Sequence, residues 1–247
     1  MTRLRLRRYD RNDRGVTLME TVVGLGIFGL LLALLSGVVV QIIRGDSGTR
    51  IRLANLDQVR TGMDAMTRTL RTAVRPEQLN GTCSAACDYA FETIGDSTVV
   101  FTANLGAVKA GAPAPTRVTY TVAVDPDDAS GATAAVTEVR QQVASTWTSG
   151  DYAFAGGPGA CAVGGPIVAG CSARVVTSGL RWPLPDGHAF VYRALGQTAG
   201  LSTVAGGSET VRRAVSTVEV TLPVGSADAA TSSVTSRVFL PNSSLGR

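Results

Sequence analysis

Arg14-Gly15-Val16-Thr17-Leu18-Met19-Glu20 runs directly into an apolar tract that reaches Ile43, and this junction decides the architecture of the chain. Between Thr21 and Val40 lie 20 residues without a charge, enough at about 1.5 Å per residue to cross a hydrocarbon core of roughly 30 Å. Residues 1–15 carry six Arg against two Asp. The positive-inside rule therefore keeps the N-terminus cytoplasmic and places the bulk of the chain outside. An ordinary secretory signal has an apolar region of about 7–15 residues followed by a small-residue cleavage site. Here the tract is longer, and the natural cut precedes it.

These residues closely resemble the leader of type IV prepilins and type II secretion pseudopilins. In that family a short basic leader ends in Gly and the next residues read approximately Phe-Thr-Leu-x-Glu. A dedicated membrane peptidase cuts after the Gly and methylates the new amine. The resemblance implies cleavage between Gly15 and Val16, N-methylation of Val16, which stands where the family usually has Phe, and an assembly role for Glu20. It also implies a pilin-like fold, in which a long N-terminal helix lies on a mostly antiparallel sheet.

Glu20 has a physical reading of its own. A carboxylate one turn inside a membrane helix costs on the order of 2.5–3.5 kcal/mol on insertion scales unless it finds a partner. In a filament of staggered helices that partner is the N-terminal amine of a neighbouring subunit, and Coulomb attraction in low dielectric offsets the penalty. The plainer alternative is a carboxylate resting among headgroups at the cytoplasmic face.

Charge is best read on the two sides of the cut. The formal +4 arises wholly in residues 1–15, because the remaining 17 basic and 17 acidic residues cancel. A sequence pI near 9.1 would otherwise suggest an anionic partner, yet the mature chain is neutral and has no basic stripe with interleaved aromatics. No nucleic-acid partner is expected. Arg outnumbers Lys by 22 to 1, which fits a GC-rich genome better than a functional specialisation.

Arg44-Gly45-Asp46-Ser47-Gly48 reads as a place where the helix bends or frays. Beyond it Leu56, Val59, Met63, Met66, Leu70 and Ala73 recur at helical spacing, while Asp57, Arg60, Asp64, Arg68 and Arg71 occupy the other faces. Met63 and Met66 at that spacing are packing residues rather than a cofactor box. Arg75-Pro76 is the expected helix end. The last 168 residues, from residue 80, suffice for one core. Expected strands are 98–102, 117–124, 136–143, 173–178, 189–193, 216–222 and 233–240, rich in Val and Thr. Gly- and Pro-bearing segments punctuate them, and 200–208 reads as mobile. The fold class is α+β. Its parts are a basic leader (1–15), a transmembrane helix (16–43), an amphipathic continuation (44–79) and an exported β-rich domain (80–247).

Within the family, size and strand order are most similar to the larger minor pseudopilin of the J type. That similarity rests on Arg68-Thr-Leu-Arg71, Val118-Thr-Tyr-Thr-Val122, Gly179-Leu-Arg-Trp182 and Val238-Phe-Leu-Pro-Asn242.

Four cysteines in an exported domain suggest disulfides. Proximity pairs Cys83 with Cys87 and Cys161 with Cys171, although four cysteines allow three connectivities, and free thiols or a zinc site are the competing readings. No metal or other cofactor is expected. The single His188, in a turn-like segment, offers only one possible base, and no nucleophile elbow or phosphate loop accompanies it, so no enzymatic activity is expected. Asp125-Pro-Asp127-Asp128 reads as a solvated turn in preference to a calcium loop. Trp147 and Trp182 fit either a core or a partner surface.

The expectation is a minor pilin or pseudopilin that helps initiate or cap a type IV pilus or a type II secretion pseudopilus. It would sit in the cytoplasmic membrane as a single-pass protein, with prepilin peptidase and other major and minor pilins or pseudopilins as partners. The alternative is a pilus-tip binding module for adhesion or DNA uptake. A signal-anchored protein that never enters a filament is a third reading.

Overall fold

A computed structural model describes residues 17–79, 89–106, 108–109, 112–144, 153–156, 161–203, 206–225 and 232–241. The chain divides into two compact units, Met1–Ile51 and Arg52–Arg247.

The first unit holds the start of helix α1 (Leu18–Arg71), whose segment Leu18–Gln41 has 24 residues and a mean hydropathy of 2.6, long and apolar enough to cross a membrane. The helix passes through residues 44–48 without the expected interruption. Two isolated glycines in a helix interior cost only about 1 kcal/mol each relative to Ala, too little to break a helix of this length.

In the second unit the apolar stripe of α1 is buried as its spacing requires. Val59, Met63, Met66, Leu70 and Ala73 are all in the core, Leu56 packs against it, and the charged positions 57, 60, 64, 68 and 71 are exposed. The helix ends at Arg71, four residues before the expected stop. Its continuation is drawn into backbone pairing with a strand: Val74 N–H donates to Thr102 O at 2.9 Å, Asn104 N–H donates to Thr72 O at 2.9 Å, and Ala73 bridges Ala103. Pro76 then opens a separate short helix, α2 (Pro76–Leu79). Proline is well placed there because its missing N–H would be unpaired in a first turn anyway.

The sheet follows. Its strands in chain order are β1 (Phe91–Ile94), β2 (Thr98–Ala103), β3 (Val108–Lys109), β4 (Ala112–Pro113), β5 (Thr116–Val124), β6 (Thr133–Gln142), β7 (Cys171–Arg181), β8 (Phe190–Ala194), β9 (Val215–Val224) and β10 (Ser232–Phe239), with helix α3 (Glu209–Ala214) before β9. All seven expected strands are present, each within a few residues of its expected bounds. The main sheet runs β1-β2-β5-β6-β7-β9-β10 with β8 also on β9, and β3 pairs only with β4. Every pairing is antiparallel.

The sheet curls nearly into a barrel. Asp96 O, at the β1–β2 turn, accepts from Ala189 N at 2.7 Å and Phe190 N at 3.1 Å, and the Tyr192 hydroxyl donates to Gly95 O at 3.0 Å. Burial pushes the Tyr192 phenol far above its ordinary range, so it is a permanent donor. Phe91 packs on Phe101 and Tyr192 with ring centroids 5.8 and 6.3 Å apart, and Phe101 stacks on Tyr120 at 6.1 Å. Segment 200–208 was expected to be mobile, but its described part is held: Leu201 N–H donates to Tyr192 O at 2.7 Å and Thr203 Oγ1 to Asp96 Oδ1 at 2.9 Å.

Gly62 fixes how closely α1 approaches β7. A Cβ built there would lie 2.7 Å from Thr177 Cβ and 3.2 Å from Val176 O, so neither a rotamer change nor the rigid strand backbone relieves it. Gly62→Val is expected to destabilise the domain by about 1–3 kcal/mol through overpacking, read as a lower denaturant midpoint at unchanged slope.

Candidate functional site at the N-terminal helix

Thr17 sets the start of α1. Its Oγ1 accepts from Glu20 N at 3.3 Å while its carbonyl accepts from Glu20 N at 3.0 Å and Thr21 N at 3.2 Å. The Thr-x-x-Glu order is the sequence form of a capping box, in which the third helical residue is acidic. Glu20 is also the only charged residue of Leu18–Gln41, and its side chain is exposed. An acidic group there is favoured by the positive end of the helix dipole.

The rest of the segment is apolar and uncovered. None of its span is buried, and its large side chains range from 46% exposed at Val40 to 83% at Leu18. A helix of a water-soluble core would hide most of that surface. Gly26, Gly29, Ala33 and Gly37 fall on one side at steps of three, four and four residues, and a Cβ at any of the three glycines would meet nothing within 4 Å. Small residues at such spacing let helix backbones approach closely in lipid. The charge-free reading of this tract had passed over that pattern.

Gly15, Val16, Cys83, Cys87, Trp147 and Asn242 lie outside the described residues. Cys161 and Cys171 are joined in a disulfide with Cα atoms 6.3 Å apart. Closing so short a loop stabilises by at most about 3 kcal/mol, and it anchors the segment before β7 to the sheet. Trp182 is partly buried against the core.

The aspartates of 125–128 are used by their own turn. Asp125 Oδ1 accepts from Asp127 N at 3.1 Å, and both oxygens of Asp128 are occupied, Oδ1 by Ser130 N and Oγ, Oδ2 by Thr133 N and Oγ1 at 2.7 and 2.6 Å. Those Ser130 and Thr133 donors hold the Asp128 carboxyl well below the usual carboxylate range. Among the described residues, no group of three or more His, Cys, Asp or Glu is placed to hold a metal. His188 is half-buried in the β7–β8 connection rather than fully exposed.

One buried charge was missed. Glu138, on β6, is 1% exposed and accepts from Tyr120 OH at 2.7 Å, Arg140 Nη2 at 2.9 Å and Arg174 Nε at 2.5 Å. Its signal was legible: residue 138 is in phase with Ala134 and Val136, which face the core. An acidic residue on the apolar phase of a strand requires buried partners. The cluster ties three strands together beneath α1 and is structural.

No known protein family and no curated protein matches this chain.

Proposed function

We propose that the chain is a minor pilin or pseudopilin, a pilin-like structural subunit processed by a prepilin peptidase. It helps initiate or cap a type IV pilus or type II secretion pseudopilus. The single observation that carries this reading is the fully uncovered apolar helix of Leu18–Gln41 with its lone carboxylate at Glu20, one turn past the Gly15-Val16 junction. A helix so exposed needs a hydrocarbon surrounding, and the carboxylate at its start needs a cationic partner there.

The mechanism is association rather than turnover. Removal of residues 1–15 takes away six Arg and two Asp and creates a cationic amine at Val16. That amine, on one subunit, pairs with Glu20 of the next, while Gly26, Gly29 and Gly37 admit close helix contact. The β-rich domain, outside the membrane, contacts other minor subunits. Its bulk suits a filament tip better than a tightly repeated shaft.

The test is the N-terminal mass of the protein in membranes with and without a prepilin peptidase, for the wild type and Gly15→Ala. The expected result is loss of residues 1–15 and a methylated Val16 only with the peptidase and intact Gly15. A retained leader, or a cut after residue 43, would overturn the proposal.

A further inference from the structure

The outer face of the sheet, remote from α1, carries a cavity of about 400 Å³, within the size range of small-molecule sites. Its floor is one lateral row across four strands: Thr93 pairs with Val100, Val100 with Thr119, and Thr119 with Val139. Hydroxyl and isopropyl groups therefore alternate along the row. Alongside the row Arg117 and Glu92 form a fork, Nε to Oε1 at 2.9 Å and Nη2 to Oε2 at 2.6 Å. The guanidinium also lies 4.3 Å from the centroid of the Phe154 ring, which fixes its plane.

Described residues beyond β6 lie beside this row. Val143 bridges Phe154, Gln141 Nε2 donates to Ala155 O at 2.9 Å, and the disulfide holds Cys161, itself a lining residue, to the start of β7.

We infer that this cavity binds a neutral, polyhydroxylated ligand, a mono- or oligosaccharide. The fork is charge-balanced, so an entering carboxylate or phosphate would meet the Glu92 carboxylate and have to displace it from Arg117. A wholly apolar ligand would cover the Thr93 and Thr119 hydroxyls and the fork without hydrogen-bonding them, which is unfavourable. A sugar ring offers both donors and acceptors to the fork and the threonines, and C–H faces to Val100 and Val139. The inference stands independently of the filament proposal.

The experiment uses the full chain in a detergent without a sugar headgroup, screened against a glycan array and followed by calorimetric titration with the strongest glycan. Expected is a neutral glycan with a Kd no weaker than about 1 mM. Binding should fall at least tenfold in Thr119→Phe and in Thr93→Phe, each of which fills the cavity from a different strand while leaving the core face untouched. Arg117→Lys, which loses the planar fork, should also weaken binding. The inference is overturned by the absence of any neutral glycan at that affinity, by preference for acidic glycans, or by binding that survives either filling variant in a folded protein.

Discussion

Glu138→Ala should destabilise the β-rich domain by about 3 kcal/mol, the low end of the range for breaking a buried ion pair. The carboxylate is 1% exposed, and its loss removes the acceptor to which the buried Tyr120 hydroxyl donates at 2.7 Å. The figure is not higher because the Arg174 side chain is 56% exposed and Arg140 36% exposed, so both cations can turn back to water. Glu138→Gln keeps an acceptor for Tyr120 and should cost less. Acid titration separates charge from packing. Burial pushes the Glu138 carboxyl up, but hydrogen bonds from Tyr120, Arg140 and Arg174 outweigh it and hold the group below its ordinary 4.5. A depressed carboxylate contributes stability that is present above its unfolded value and is lost as pH falls through the folded one. Asp128 and Glu219 are held low as well, the latter chiefly by Arg237. The difference between wild type and Glu138→Gln isolates one group. That difference should be full near pH 7 and shrink below about pH 4. A constant difference across the acid limb would assign the effect to packing alone.

The helix stripe was legible because burial repeats along one face: once Val59, Met63, Met66 and Leu70 are placed, a covering layer is required. The strands were legible for the same reason at period two. The helix end was not, because what stops α1 at Arg71 is not local. Proline at 76 is a visible breaker, but the pairing of 72–74 with β2 is a long-range contact that no window around the helix contains. Strand β1 escaped because four residues, Phe-Glu-Thr-Ile, with a bulge after Phe91 do not alternate cleanly. Helix α3 is only six residues long, and its cap, Val211 N–H to Ser208 Oγ at 3.4 Å, was visible only as a serine ahead of Glu209. In the N-terminal segment the opposite holds. Its reading needs no tertiary contact, since length, polarity and the place of one carboxylate carry it. The small-residue side at Gly26, Gly29 and Gly37 was equally local and was overlooked because hydropathy averages over faces. The outer cavity depends on strand register and on the disulfide that holds Cys161 beside it, neither of which the sequence spells out.

Glu20→Gln should abolish incorporation into filaments while leaving leader removal, membrane insertion and the melting of the β-rich domain unchanged. Two roles compete for this residue, and they predict opposite results. As the third residue after Thr17, in a capping-box order, it would serve its own helix by its side chain accepting from the Thr17 backbone N–H, which a glutamine amide oxygen does almost as well; a cap of this kind is worth about 1 kcal/mol. As an assembly group it serves by charge. An ammonium about 4 Å away at an effective dielectric near 20 gives about 4 kcal/mol of attraction, comparable to the roughly 2.5–3.5 kcal/mol needed to hold a carboxylate within the membrane. Glutamine retains the cap and removes the charge, so only the second role is lost. An alanine variant removes both and cannot distinguish them. The readout is the fraction of cleaved subunit recovered in sheared filaments or cross-linked to a co-expressed neighbour. Near-complete loss for Gln at normal membrane levels assigns Glu20 to assembly. Recovery of Gln at wild-type levels, with Ala reduced, reassigns it to helix capping and leaves the filament without its expected charge pair at the first turn.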